Sequence, residues 1–133
     1  IEMLRALGRD PLVIKATRVD VLYGVTNLMD RAMQADTHWL DRLLILYGRH
    51  DDIIPRGATC RWLSSHPEVP GHARRTLIYS NGYHMLTRDL QAAVVLGDMA
   101  AWIGNPETGS PSGLEVGPGE QRGGRSGTFV GRA

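Results

Sequence analysis

The sequence holds one cysteine, no apolar run approaching the ~18 residues of a membrane span, and no surplus of charge of either sign. Fifteen Lys and Arg stand against fourteen Asp and Glu, a formal net charge of +1 over 133 residues. The single Cys60 excludes an intramolecular disulfide and fits a reducing compartment, which gives the expectation of a soluble, cytoplasmic protein. Balanced charge offers no field that would gather nucleic acid or anionic lipid, so any partner must be recognised by a site. An initiator methionine and a targeting segment are also missing, because the chain opens on Ile1 in what reads as the middle of a domain. The expectation is a chain truncated at its N-terminus.

What is present has the alternation of a parallel α/β protein. Residues 1–16 read as a connection, since Pro11 biases Asp10 away from helix and ends whatever begins near Met3. Thr17 and Asp20 have the spacing of a capping box. Leu22, Val25, Met29 and Ala32 then recur at helical spacing, predicting a helix with one buried face and a close contact at Gly24. Leu43-Leu44-Ile45-Leu46-Tyr47 and Thr76-Leu77-Ile78-Tyr79 are short unbroken apolar runs, the pattern of strands buried on both faces of a parallel sheet. A helix predicted over residues 56–65 lies between them, completing a βαβ unit. A last helix is predicted over residues 89–103, stopped by Gly104-Asn105-Pro106. From residue 104 onward nine of the sixteen glycines accompany only five apolar residues, too few to offset the entropy of ordering them, so 104–133 reads as a disordered tail. Its Arg122-Gly123-Gly124-Arg125 has no interleaved aromatic, and across the tail three acidic and three basic residues cancel, which argues against nucleic acid.

In open parallel sheets, reacting groups gather where loops leave the carboxyl ends of the strands. Asp51 lies four residues past Tyr47, and His84 five past Tyr79. If the strands are neighbours, ~5 Å apart, a carboxylate and an imidazole can meet at one edge. The carboxylate would fix the tautomer through one ring nitrogen and leave the other free to take a proton from a hydroxyl. On spacing alone, ordinary loop acids and a turn-capping histidine fit Asp51, Asp52 and His84 as well. The other histidines lack the i, i+4 spacing of a metal face, and no metal or cofactor is expected.

Gly48-Arg49-His50-Asp51-Asp52-Ile53-Ile54-Pro55, following its apolar strand, resembles the acid loop of α/β-hydrolases in the monoacylglycerol lipase and lysophospholipase branch, a serine aminopeptidase S33-like group. Gly82-Tyr83-His84-Met85-Leu86 resembles the histidine loop of the same proteins, and Asp10-Pro11-Leu12 with the following helix resembles the stretch leaving their lid. The resemblance covers about residues 9–103. It implies the C-terminal part of an α/β-hydrolase fold: the end of a lid over 1–16, the last two parallel strands with flanking helices over 17–103, then the tail. It makes Asp51 the triad acid, with Asp52 the neighbouring candidate, and His84 the general base. It further implies a serine hydrolase of small-molecule acyl esters, of monoacylglycerol or lysophospholipid type, with a transient membrane-surface contact through a lid that is mostly absent.

The nucleophile is missing from this pattern. The family serine sits in a G-x-S-x-G elbow upstream of the lid. Gly109-Ser110-Pro111-Ser112-Gly113 has proline at the serine position, and Gly124-Arg125-Ser126-Gly127-Thr128 lacks the final glycine and follows the histidine. The chain alone is therefore expected to be inactive and, with unpaired strand edges, poorly soluble. An aminopeptidase-like hydrolase and a non-catalytic binding relative of the same fold fit residues 1–133 equally well.

Overall fold

A computed structural model describes residues 2–36 and 41–117 of the chain. It divides into two compact units, Ile1–Asp36 and Thr37–Ala133. The helix over residues 19–34 lies in the first of these units.

In the first unit, α1 (Glu2–Arg9) precedes a turn at Pro11. Asp10 Oδ1 accepts from the Leu12 amide at 2.9 Å, and the Lys15 ammonium donates to the carbonyls of Leu7 and Asp10, satisfying acceptors that a helix end leaves open. Helix α2 (Val19–Gln34) begins at Arg18 without a side-chain cap. The expected capping box does not form, because the Asp20 carboxylate pairs with the Arg18 guanidinium at 2.9 Å and 3.0 Å instead. No residue of α2 is buried, and Leu22, Val25 and Leu28 are exposed. Gly24 has open space around it, so nothing packs closely there.

The second unit contains the predicted βαβ arrangement. Strands β1 (Arg42–Gly48) and β2 (Ala73–Tyr79) pair in parallel with Leu46 opposite Leu77 and Gly48 opposite Tyr79. Helix α3 (Arg56–Ser65) makes the crossover, and α4 (Ala92–Gly104) follows β2 after a single 3-10 turn at Leu86–Arg88. Alternation along the strands divides the core between two faces. Ile45 and Ile78 pack with Leu63, Cys60 and Trp62 of α3, while Leu44, Leu46, Leu77 and Tyr79 pack with Val95 and Met99 of α4. Burying side chains such as Leu77, Tyr79 and Val95, all 0% exposed, stabilises the unit by about 1.5–3 kcal/mol each. Both runs were apolar throughout because each strand is covered on both sides.

Residues 105–117, part of the stretch that composition predicts to be a tail, make specific contacts with the unit. Residues 105–117 return along the outer edge of β2, where the Ile78 amide donates to the Leu114 carbonyl (3.3 Å) and the Val116 amide to the Thr76 carbonyl (3.0 Å), an antiparallel bridge. Arg75 fastens this strap: its Nε meets Glu115 Oε1 at 3.0 Å, another guanidinium nitrogen donates to the Pro106 carbonyl, and the group lies over the Trp102 ring. These polar anchors act together with Val116 and Leu114, which pack against the two faces of the core. One of the two edges expected to be open is thereby covered. The remainder of the predicted tail lies outside the described residues. Among those described, no helix is long and apolar enough to cross a membrane.

Candidate active site

The register that sets Gly48 opposite Tyr79 ends both strands at the same level, so the loops they release open together. The Tyr79 carbonyl accepts from Arg49 N in the first loop and from Gly82 N in the second, both at 3.0 Å. The Gly82 carbonyl accepts from His50 N at 2.9 Å. This approach is possible only without side chains at the crossing. A Cβ on Gly48 would stand 2.5 Å from the Tyr83 carbonyl oxygen, and one on Gly82 would stand 3.2 Å from Gly48 Cα. Neither glycine has positive φ; each is required by space, not by backbone conformation.

On this crossing the structure brings Asp51 and His84 together. His84 Nδ1 lies 3.0 Å from Asp51 Oδ2 and 3.2 Å from Oδ1. The Asp51 carboxylate is buried, with 7% of its side chain exposed, whereas the His84 ring is 46% exposed. Asp51 Oδ1 also accepts from the amides of Ile53 (2.8 Å) and Ile54 (2.9 Å), curling the loop around the carboxylate. The Tyr47 hydroxyl closes the same loop by donating to the Ile54 carbonyl at 3.0 Å. Burial pushes the Asp51 carboxyl up, but hydrogen bonds from His84, Ile54 and Ile53 and the attraction of a charged His84 outweigh it, and the group stays below the usual carboxylate value. An ionised carboxylate only accepts, so the proton between the two groups belongs to Nδ1, and in the neutral ring Nε2 is the acceptor. Asp52, the neighbouring candidate, is exposed.

The ring of Tyr83 lies tilted against His50, with centroids 5.4 Å apart. The residues immediately before Asp51 and His84 thus also meet. Asp89 Oδ2 holds the second loop by accepting from Tyr83 N at 3.1 Å, while its Oδ1 accepts from the following Leu90 N at 2.7 Å. These supporting contacts went unread in the sequence. The glycines could have been found, since each opens one of the two motifs. Asp89 was visible only as a helix-start acid. No group of three or more His, Cys, Asp or Glu side chains able to hold a metal gathers among the described residues.

Comparison with known proteins agrees at the level of family. Residues 1–91 match the family model described as serine aminopeptidase, S33, a stretch that contains both strands and both loops. No curated protein and no solved structure matches the chain significantly. The match covers well over half of the sequence, and the chain belongs to the serine aminopeptidase S33 family of the α/β-hydrolase superfamily.

Proposed function

We propose that Asp51 and His84 are the acid and the base of a serine hydrolase that cleaves acyl esters, and that a serine outside residues 1–133 supplies the nucleophile. One observation carries this reading: a buried, amide-held carboxylate lies 3.0 Å from Nδ1 of a half-exposed imidazole at the carboxyl edge of a parallel sheet. His84 Nε2 takes the serine proton as the oxygen attacks the ester carbonyl. It then returns that proton to the departing alcohol as the acyl-enzyme forms. Water repeats the sequence in reverse, with its proton passing to Nε2 and then back to the serine as the acid leaves. Asp51 holds the ring and stabilises the imidazolium in both halves. By itself the chain lacks a serine elbow, and esterase activity is not expected of it.

The family description favours a second substrate class, peptides cleaved at a free amino terminus. Monoacylglycerol and lysophospholipid esters rest on the resemblance of the two loop motifs. The test is to read the coding sequence upstream of Ile1 in frame and express the complete protein. A G-x-S-x-G between a strand and a helix, with turnover of p-nitrophenyl esters far above aminoacyl p-nitroanilides, supports the ester reading. Preference for the anilides replaces it with the aminopeptidase one. An elbow without serine contradicts both.

A further inference from the structure

Asp98 is a buried carboxylate that the proposed chemistry does not use. It sits on α4 at 1% exposure, against the fully buried Tyr79. Its Oδ2 accepts from the Tyr79 hydroxyl at 2.8 Å, and its Oδ1 accepts from the Ser112 amide of the strap at 3.0 Å. Both oxygens are committed to partners from different elements, which is how a buried acid is retained without a counter-ion. The phenol in turn stays protonated well beyond its ordinary range, because burial and then the Asp98 contact oppose its ionisation.

Tyr79 occupies the last position of β2, and its main chain is where the two loops are joined. Its carbonyl accepts from Arg49 N, two residues before Asp51, and from Gly82 N, two residues before His84. Its Cβ packs so closely on Gly82 that a methyl added there would meet it at 2.9 Å. A displacement of Tyr79 therefore displaces both loops, with no slack at the Gly48–Gly82 crossing to absorb it.

We propose that Asp98 and Tyr79 form a positioning pair, in which the buried carboxylate fixes the tyrosine whose carbonyl sets the distance between Asp51 and His84. The Ser112 amide extends this pair to the strap, so the segment beyond α4 contributes to the geometry of a site it does not reach. The role rests on the reading of Asp51 and His84 as a working pair, and the test separates the two.

The measurement is proton NMR of the full chain, following the far-downfield resonance of the Nδ1 proton held between His84 and Asp51. Asp51→Asn and His84→Ala identify that resonance by abolishing it. Tyr79→Phe and Asp98→Asn are compared with Leu63→Ala, which opens a cavity on the α3 face of the sheet away from Asp98. Thermal melts run alongside. A purely structural role predicts that all three variants lower the melting temperature and none affects the resonance of the folded protein. The positioning role predicts that Tyr79→Phe and Asp98→Asn broaden or remove it while Leu63→Ala, itself destabilised, keeps it. Retention of the resonance in both Tyr79→Phe and Asp98→Asn overturns the proposal and leaves the Asp51–His84 pair standing. A wild-type chain with no such resonance overturns the pair and the positioning role together.

Discussion

Replacing Gly48 by alanine puts a methyl group where the two loops touch. The added carbon meets the Tyr83 carbonyl oxygen at 2.5 Å and the Gly82 carbonyl carbon and oxygen at 2.7 Å. These are main-chain atoms that cannot rotate away, so the gap must open from 2.5 Å to at least the 3.4 Å of ordinary contact. The Gly82 carbonyl is also the acceptor of His50 N at 2.9 Å, and opening the gap stretches that bond. Overpacking of this kind costs about 1–3 kcal/mol. For a unit of this size that lowers the melting temperature by roughly 5–20 °C. The site suffers more than the fold. The His84–Asp51 distance of 3.0 Å cannot lengthen by most of an ångström and remain a hydrogen bond, and misplacement on that scale costs about 10²-fold in rate. Calorimetry on the chain reads the first effect, and kcat of the complete enzyme at saturating substrate reads the second. An unchanged melting temperature together with unchanged kcat in Gly48→Ala would refute the idea that the crossing of the two loops sets the site.

Three further outcomes follow from the same contacts. Asp51→Asn leaves the loop shape nearly intact but puts the wrong tautomer on His84, and kcat of the complete enzyme falls by about 10⁴-fold with little change in KM. Because the Asp51 carboxyl lies below its ordinary value when folded, its contribution is complete above the unfolded value of about 3.9 and is lost as pH falls through the lower folded value. Urea melts of the wild type should therefore lose stability through this acid range more steeply than those of Asp51→Asn, and parallel curves would count against the buried pair. Val116→Pro removes the N–H that reaches the Thr76 carbonyl at 3.0 Å. It should cost about 1 kcal/mol and speed hydrogen exchange at the Ile78 amide, whereas unchanged exchange would mean that the strap does not guard the β2 edge.

The parts of this fold that were legible in the sequence are those where a local pattern and the tertiary answer coincide. Leu43 to Tyr47 and Thr76 to Tyr79 are apolar without alternation because α3 and α4 cover opposite faces of the same two strands, and the helix between them fits only a parallel crossover. The spacing of Asp51 and His84 from their strands was enough to bring them to one edge. Composition misled where a few specific bonds outweigh it. Residues 105–117 are glycine-rich and polar, yet Arg75 and Asp98 hold them from inside the unit, and no window of sequence shows that two charges so far upstream are reserved for this purpose. The expected cap at Thr17 failed because Arg18 competes for Asp20, an exposed pairing that a spacing rule cannot weigh. Tyr79 was read as a strand end, and the use of its carbonyl by both loops is invisible before the register is known.

The central claim is that His84, oriented by Asp51, activates a serine. It is tested most directly by fluorophosphonate labelling of the complete protein expressed from its own reading frame, with wild type, His84→Ala and Asp51→Asn compared at equal concentration of folded protein. The account predicts rapid labelling of a single serine in the wild type and a loss of labelling rate by orders of magnitude in both variants. Labelling of the wild type and His84→Ala at the same rate, or no labelled serine in a folded wild-type protein, would contradict it.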